Sequence, residues 1–131
     1  MSQENQELMY RITDAVNRRD LGAYLALMDD DVEAIPRVAG VEGGFHGHYG
    51  IRRWWGNLFQ VFPDFTVEVV DVRDLGDLSL AALHLRARGA GGDAPVDEAV
   101  WLVGRWRGGK CIWWGTFQTR TEALEAAGVP E

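Results

Sequence analysis

Gly47–Phe65, GHYGIRRWWGNLFQVFPDF, decides how the rest of the chain is arranged. Ile51, Trp54, Trp55, Leu58, Phe59 and Phe62 recur at helical spacing, so two indoles, two phenyl rings and two aliphatic side chains share one stripe. Arg52, Arg53, Asn57 and Gln60 form the opposite stripe. Pro63 cannot continue a helix, and Asp64 opens a turn into a β-branched run. The spacing therefore predicts an aromatic helix laid on the sheet that follows it. Such a face is either a core or the wall of a pocket.

Outward from this helix, the totals bound the class. A chain of 131 residues with 47% hydrophobic content fits one domain with one core, read here as residues 1–131. Six tryptophans are many for this length, and tryptophan suits pockets and interfaces because it offers large area with one polar handle. The net charge of -7 opposes binding to nucleic acid or to an anionic membrane surface. One cysteine, Cys111, excludes an internal disulfide, and no apolar run approaches the ~20 residues of a membrane span. The opening MSQENQELMY lacks the pattern of a signal peptide, so a cytoplasmic location is expected.

Before the aromatic helix, a helix is expected over residues 3–18 with Leu8, Ile12 and Ala15 or Val16 inward. A second follows over 21–28, capped by Asp20 and presenting Leu21, Tyr24, Leu25 and Met28. Asp29-Asp30-Asp31 reads as a solvated turn, and 32–35 as a short strand ended by Pro36. Residues 37–47 form a glycine-rich loop, a natural rim for a cavity. After the aromatic helix come four strands, at 65–75, 78–88, 96–107 and 110–119. Gly76-Asp77 and Gly108-Gly109 are the tight turns, and the connection 89–95 is expected to be longer and mobile. A short helix over 121–127 ends at Gly128.

A two-residue loop at Gly108-Gly109 sets Arg107 opposite Lys110, and an uninterrupted ladder then fixes two faces. One carries Glu98, Leu102, Gly104, Trp106, Cys111, Trp113, Gly115 and Phe117, and is expected to line the pocket. The glycines Gly104 and Gly115 are read as room for a cavity or a bend. The other face carries Trp101, Val103, Ile112 and Trp114 within a polar border, the composition of a homodimer interface. A one-residue slip exchanges the two faces.

The order αα-β-α-ββββ, with the pieces NRRDLGAYLALMDDDV, FHGHYGIRRWW, RWRGGKCIWW and TRTEALEAAG, resembles the SnoaL-like branch of the nuclear transport factor 2-like superfamily over residues 5–128. The resemblance implies an α+β fold, a cone-shaped curved mixed or antiparallel sheet wrapped around helices with a central pocket, and dimers formed through the sheet. It also implies where related enzymes keep their acids. The aspartate of ketosteroid isomerases corresponds here to Ile35 and their tyrosine to Ile12, while the acid of SnoaL-type polyketide cyclases falls at about Trp114. The Arg-x-Asp pair and second aspartate of limonene epoxide hydrolases meet Arg86-Ala87-Arg88 and Gly115. None of the three acid sets is present.

Other residues must then carry any chemistry. Glu98 is the acid on the proposed pocket face, where apolar surroundings would raise its pKa and suit it to acid or base work; the alternative is a place at the wet edge of the sheet. Glu33 lies two residues from the isomerase position, about 6 to 7 Å along the strand, with a solvent-facing strand residue as its alternative. His48 either polarises a substrate or starts the aromatic helix. His46, His48 and His84 are weighed as metal ligands, but His84 alternates with Arg86 and Arg88 on an outer face, and no metal or cofactor is expected. Tyr24, Trp54, Trp55, Phe59, Leu102, Trp113 and Phe117 are the candidates for contact with a small apolar, or polycyclic, molecule. The chemistry open to such a site is isomerisation, cyclisation or hydration, and the alternative is a binding or accessory dimer without catalysis.

Overall fold

The aromatic helix forms as its spacing predicts and buries Ile51, Trp54, Trp55 and Leu58. The computed structural model describes residues 2–89 and 95–129. In chain order the elements are α1 (Ser2–Asn17), α2 (Leu21–Ala26), β1 (Met28–Ile35), β2 (Phe45–His46), α3 (Gly47–Val61), β3 (Thr66–Leu75), β4 (Leu78–Ala87), β5 (Val96–Arg107), β6 (Lys110–Phe117) and α4 (Arg120–Ala126). The expected mobility of the 89–95 connection falls largely on 90–94, outside the described residues. No helix among the described residues is long and apolar enough to cross a membrane.

The six strands form one curved, open sheet in the order β2-β1-β6-β5-β4-β3. β1 runs parallel to β6, and the other neighbours are antiparallel. The α+β class and the mixed sheet are thus as expected. The inner face packs on α1 through Leu8, Met9, Ile12, Ala15 and Val16, and on α3 through its aromatic stripe, in one continuous core. Asp20 caps α2, its carboxylate accepting from the Ala23 backbone N–H at 3.0 Å.

Three local readings are corrected. The acidic run is not a turn but part of β1, which begins at Met28; Asp30 and Asp31 face solvent while Met28 and Val32 are fully buried. Phe45–His46, expected within a loop, pairs with β1 as β2. The third correction concerns the β5–β6 hairpin and moves the site.

Arg107 faces Lys110 and Trp106 faces Cys111, as the two-residue turn requires, but Arg105 then faces Trp113. Ile112 is therefore an extra residue in β6, a bulge that reverses the in-out alternation of everything after it. Trp114 and Thr116 stand opposite Gly104 and Leu102 on the inner face, and Trp113, Gly115 and Phe117 stand on the outer face with Arg105, Val103 and Trp101. The sequence assignment of Trp113 and Phe117 to the pocket and of Trp114 to the interface is accordingly exchanged. Neither strand glycine opens a void: a Cβ on Gly104 would sit 3.8 Å from the end of Met9, and one on Gly115 would sit 2.7 Å from the Phe117 ring. On the outer face α4 covers Leu80 and Val103 through Ala123, Leu124 and Ala127.

Candidate functional site

Between the helices and the inner face of the sheet lies a cavity of about 50 Å³. Its wall is built from Ile12, Thr13 and Val16 of α1, Tyr24 of α2, Trp54 of α3, and Pro36 and Val38 from the β1–β2 connection. Phe65 and the strand residues Val67, Leu83, Leu85, Leu102, Trp114 and Thr116 complete it. Alternation explains the strand contribution, since each strand sends every second residue inward. The volume holds a few water-sized groups. Rings of the chain itself fill the rest of the cone: Trp54 lies edge-on to Trp114 at 5.1 Å between centroids, and Tyr24 packs on Trp54 at 5.9 Å and on Trp55 at 5.3 Å.

Of the seven expected contact residues, Tyr24, Trp54 and Leu102 are on this wall. Trp55 and Phe59 stand behind it, Trp55 against Tyr24 and Phe59 against Trp55 and Phe65. The Arg19 guanidinium lies over the Phe59 ring at 4.2 Å and closes that side. Trp113 and Phe117 are on the far side of the sheet, for the reason given above. Trp114, Thr116, Phe65, Pro36 and Val38 escaped sequence reasoning; the two strand residues were hidden by the bulge.

The polar atoms of the wall are few. Trp54 Nε1 donates to the Val38 carbonyl at 3.1 Å, and the Arg37 backbone N–H donates to Thr116 Oγ1 at 2.7 Å. Together these fasten the start of the glycine-rich connection over the cavity. Thr13 donates its hydroxyl proton within α1, to the Met9 and Tyr10 carbonyls. Trp114 Nε1 is buried with no hydrogen-bond partner among the described residues. Burial, with a smaller contribution from nearby Cys111, pushes the Tyr24 phenol well above its ordinary pKa, so it stays protonated across the physiological range. Cys111, on the inner face beside Trp106, is pushed up to about 12 by desolvation.

The three expected acid–base residues are not brought together. Glu98 stands on the inner parity of β5, opposite the wall residue Leu85, but accepts from Arg37 Nε at 3.0 Å with both side chains 38% exposed. Its surroundings are a charged rim rather than an apolar interior. Arg37, between Pro36 and Val38, is the partner that sequence reading did not supply. Glu33 faces outward on β1, opposite Trp113, with His46 Nδ1 at 4.0 Å. His48 Nε2 donates to the Met28 carbonyl at 2.9 Å, so it joins the start of α3 to β1 and is not on the cavity wall. His84 pairs with Asp97 on the outer face, as its alternation with Arg86 and Arg88 predicts, which holds Asp97 below the usual carboxylate range.

The comparisons follow the same architecture. Residues 9–114 match the SnoaL-like domain family. No curated protein sequence matches the chain. Among solved structures it is similar to an uncharacterised cystatin-fold protein from Novosphingobium aromaticivorans, at 24% identity and TM-score 0.75 over 89% of this chain and 98% of that one. It is also similar to IdmH, a putative polyketide cyclase from Streptomyces antibioticus, at 22% identity and TM-score 0.71 over 95% and 98%. A protein of ketosteroid isomerase-like fold from Catenulispora acidiphila, in complex with trimethylamine, matches at 16% identity and TM-score 0.77 over 95% and 94%. At these identities the structures speak for the fold, while the family match spans most of the sequence. A helix-backed curved sheet around a small aromatic cavity accompanies that match, and the chain belongs to the SnoaL-like domain family.

Proposed function

We propose that this chain is a small-molecule-binding protein whose cone takes a compact, largely apolar guest. The observation that carries the reading is the cavity wall, which draws apolar side chains from three helices and from β3, β4 and β5 without a carboxylate or imidazole among them. The Catenulispora neighbour in complex with trimethylamine supports a fold able to host small molecules. At about 50 Å³ the cavity suits a guest of a few heavy atoms, and a polycyclic one requires the wall to move. The test is titration with small ring hydrocarbons and ketones, followed by NMR of methyl and indole signals. Saturable shifts at Leu83, Leu102 and Trp54, with Trp101 and Trp113 unmoved, are expected. If no wall signal responds to any probe, the reading is wrong.

An acid–base enzyme of isomerase or cyclase type is the second reading, favoured by one observation: the Glu98 carboxylate stands at the rim with Arg37 across it. Glu98 would be its base. Once any turnover is found, an unchanged rate in Glu98→Gln removes that residue from the mechanism; Glu33 and His48, off the wall, are weaker candidates.

The same proposal includes a partner and a place. Two copies associate through the outer sheet face, with Trp101, Trp113 and Phe117 in the contact. A buried free thiol fits a reducing, cytoplasmic setting.

A further inference from the structure

The Trp114 indole is 3% exposed, belongs to the cavity wall, and leaves its N–H without a partner among the described residues. An indole nitrogen is a donor only, so nothing but an acceptor can satisfy it. A buried donor left unmade is expensive, and native interiors leave few of them. Tyr24 supplies a second donor to the same wall, its hydroxyl kept protonated by burial. Thr116 also lines the wall, and its Oγ1, which accepts from the Arg37 N–H, carries a proton it can donate. Among the described residues no anionic side chain lines the cavity, so a cationic guest would meet no countercharge from them.

From this arrangement we infer that the guest is a neutral molecule with a carbonyl-type acceptor oxygen, seated on Trp114 Nε1–H with the Tyr24 hydroxyl as second donor. This rests on the small-molecule reading above and narrows it: a hydrocarbon of the right shape fills the cavity but leaves the indole unsatisfied, whereas a ketone, aldehyde or ester satisfies it. The position that the cyclase resemblance assigns to an acid therefore holds a fixed donor, and the polarity of the site toward its guest is reversed. The pocket is built to accept a carbonyl rather than to take a proton from carbon.

The experiment uses the full chain labelled with 15N and compares cyclopentanone with its hydrocarbon isostere methylenecyclopentane. Six tryptophans give a small set of indole N–H signals, and the one absent from Trp114→Phe is assigned to Trp114. The ketone is expected to move that signal downfield and saturate, the isostere to leave it nearly in place. Trp114→Phe, which keeps a ring, is expected to weaken the ketone roughly tenfold while changing the isostere less than about twofold. If that variant does not fold, Tyr24→Phe takes its place, and the ketone must lose several-fold of its preference over the isostere. Equal binding of both probes to the wall, with the Trp114 indole unmoved, overturns the carbonyl assignment and leaves the small-molecule reading standing. Failure of both probes to shift any wall signal overturns both.

Discussion

Cys111 is fully buried beside Trp106, and its thiol is held at about 12 against an ordinary 9.0. Below pH 9 both folded and unfolded chains keep that proton. Above it the unfolded chain releases the proton while the folded chain retains it, so stability falls as pH rises through the window from 9 to about 12. The slope expected from one such group is about 1.4 kcal/mol per pH unit. Tyr24, also raised, steepens the loss above pH 10. Urea unfolding at successive pH values measures this, and Cys111→Ala is expected to flatten the first part of the decline. A slope unchanged in that variant would show that the thiol is not the source. The burial of Cys111 was legible from its place on an apolar face of β6, ahead of the bulge. Trp113 and Trp114 were not legible in the same way, because adjacent identical side chains give the pattern no preference for which one faces in. Glu98 shows the other limit: its face was readable from alternation, but Arg37 lies 61 residues away in a loop, and no local spacing announces that pairing.

At the scale of elements, α4 shows how a short helix holds its place. Its N-terminus carries a capping box: Thr119 Oγ1 accepts from the Glu122 N–H at 3.1 Å, and the Glu122 carboxylate accepts from the Thr119 N–H at 3.2 Å. With seven residues the helix has little stability of its own, and it persists because Ala123 and Leu124 are buried on Leu80 and Val103. Thr119→Ala is expected to lower the unfolding free energy by about 1 kcal/mol, measured by chemical denaturation. Hydrogen exchange should quicken first at the Ala123 and Ala127 amides, which bond to the carbonyls of Thr119 and Ala123. Uniform quickening across the sheet would instead mean that α4 unfolds only with the whole chain. Strand and helix types were readable from period and turn residues, as the Gly76-Asp77 and Gly108-Gly109 turns show. The bulge at Ile112 has no such signature, since it inserts an apolar residue into an apolar run.

At the scale of the molecule, the outer sheet face joins exposed aromatic area to a balanced rim. The chain carries a net charge of -7, so two copies repel unless the surfaces that meet are locally neutral. A two-fold contact sets each residue close to its own copies, which makes that condition strict. On this face four ion pairs form, Asp71 with Arg73 at 3.2 Å, Glu68 with Arg86 at 3.6 Å, Asp77 with Arg105 at 2.9 Å, and His84 with Asp97, while Arg107 and Lys110 face each other at the hairpin end. Between this rim and β1, the half-buried rings of Trp101, Trp113 and Phe117 lie outside the part that α4 covers completely, with exposed Ile35 beside Gly115. We therefore expect a homodimer, and Trp101→Glu or Trp113→Glu is expected to return it to the 14.6 kDa monomer in sedimentation at micromolar concentration, with the fold intact. Trp114→Glu should behave differently, because it buries a charge in the cavity wall and unfolds the chain rather than separating the copies. A dimer that survives both outer-face substitutions would eliminate this interface. A monomer in the unsubstituted chain would leave the neutral aromatic face without the partner its charge pattern favours.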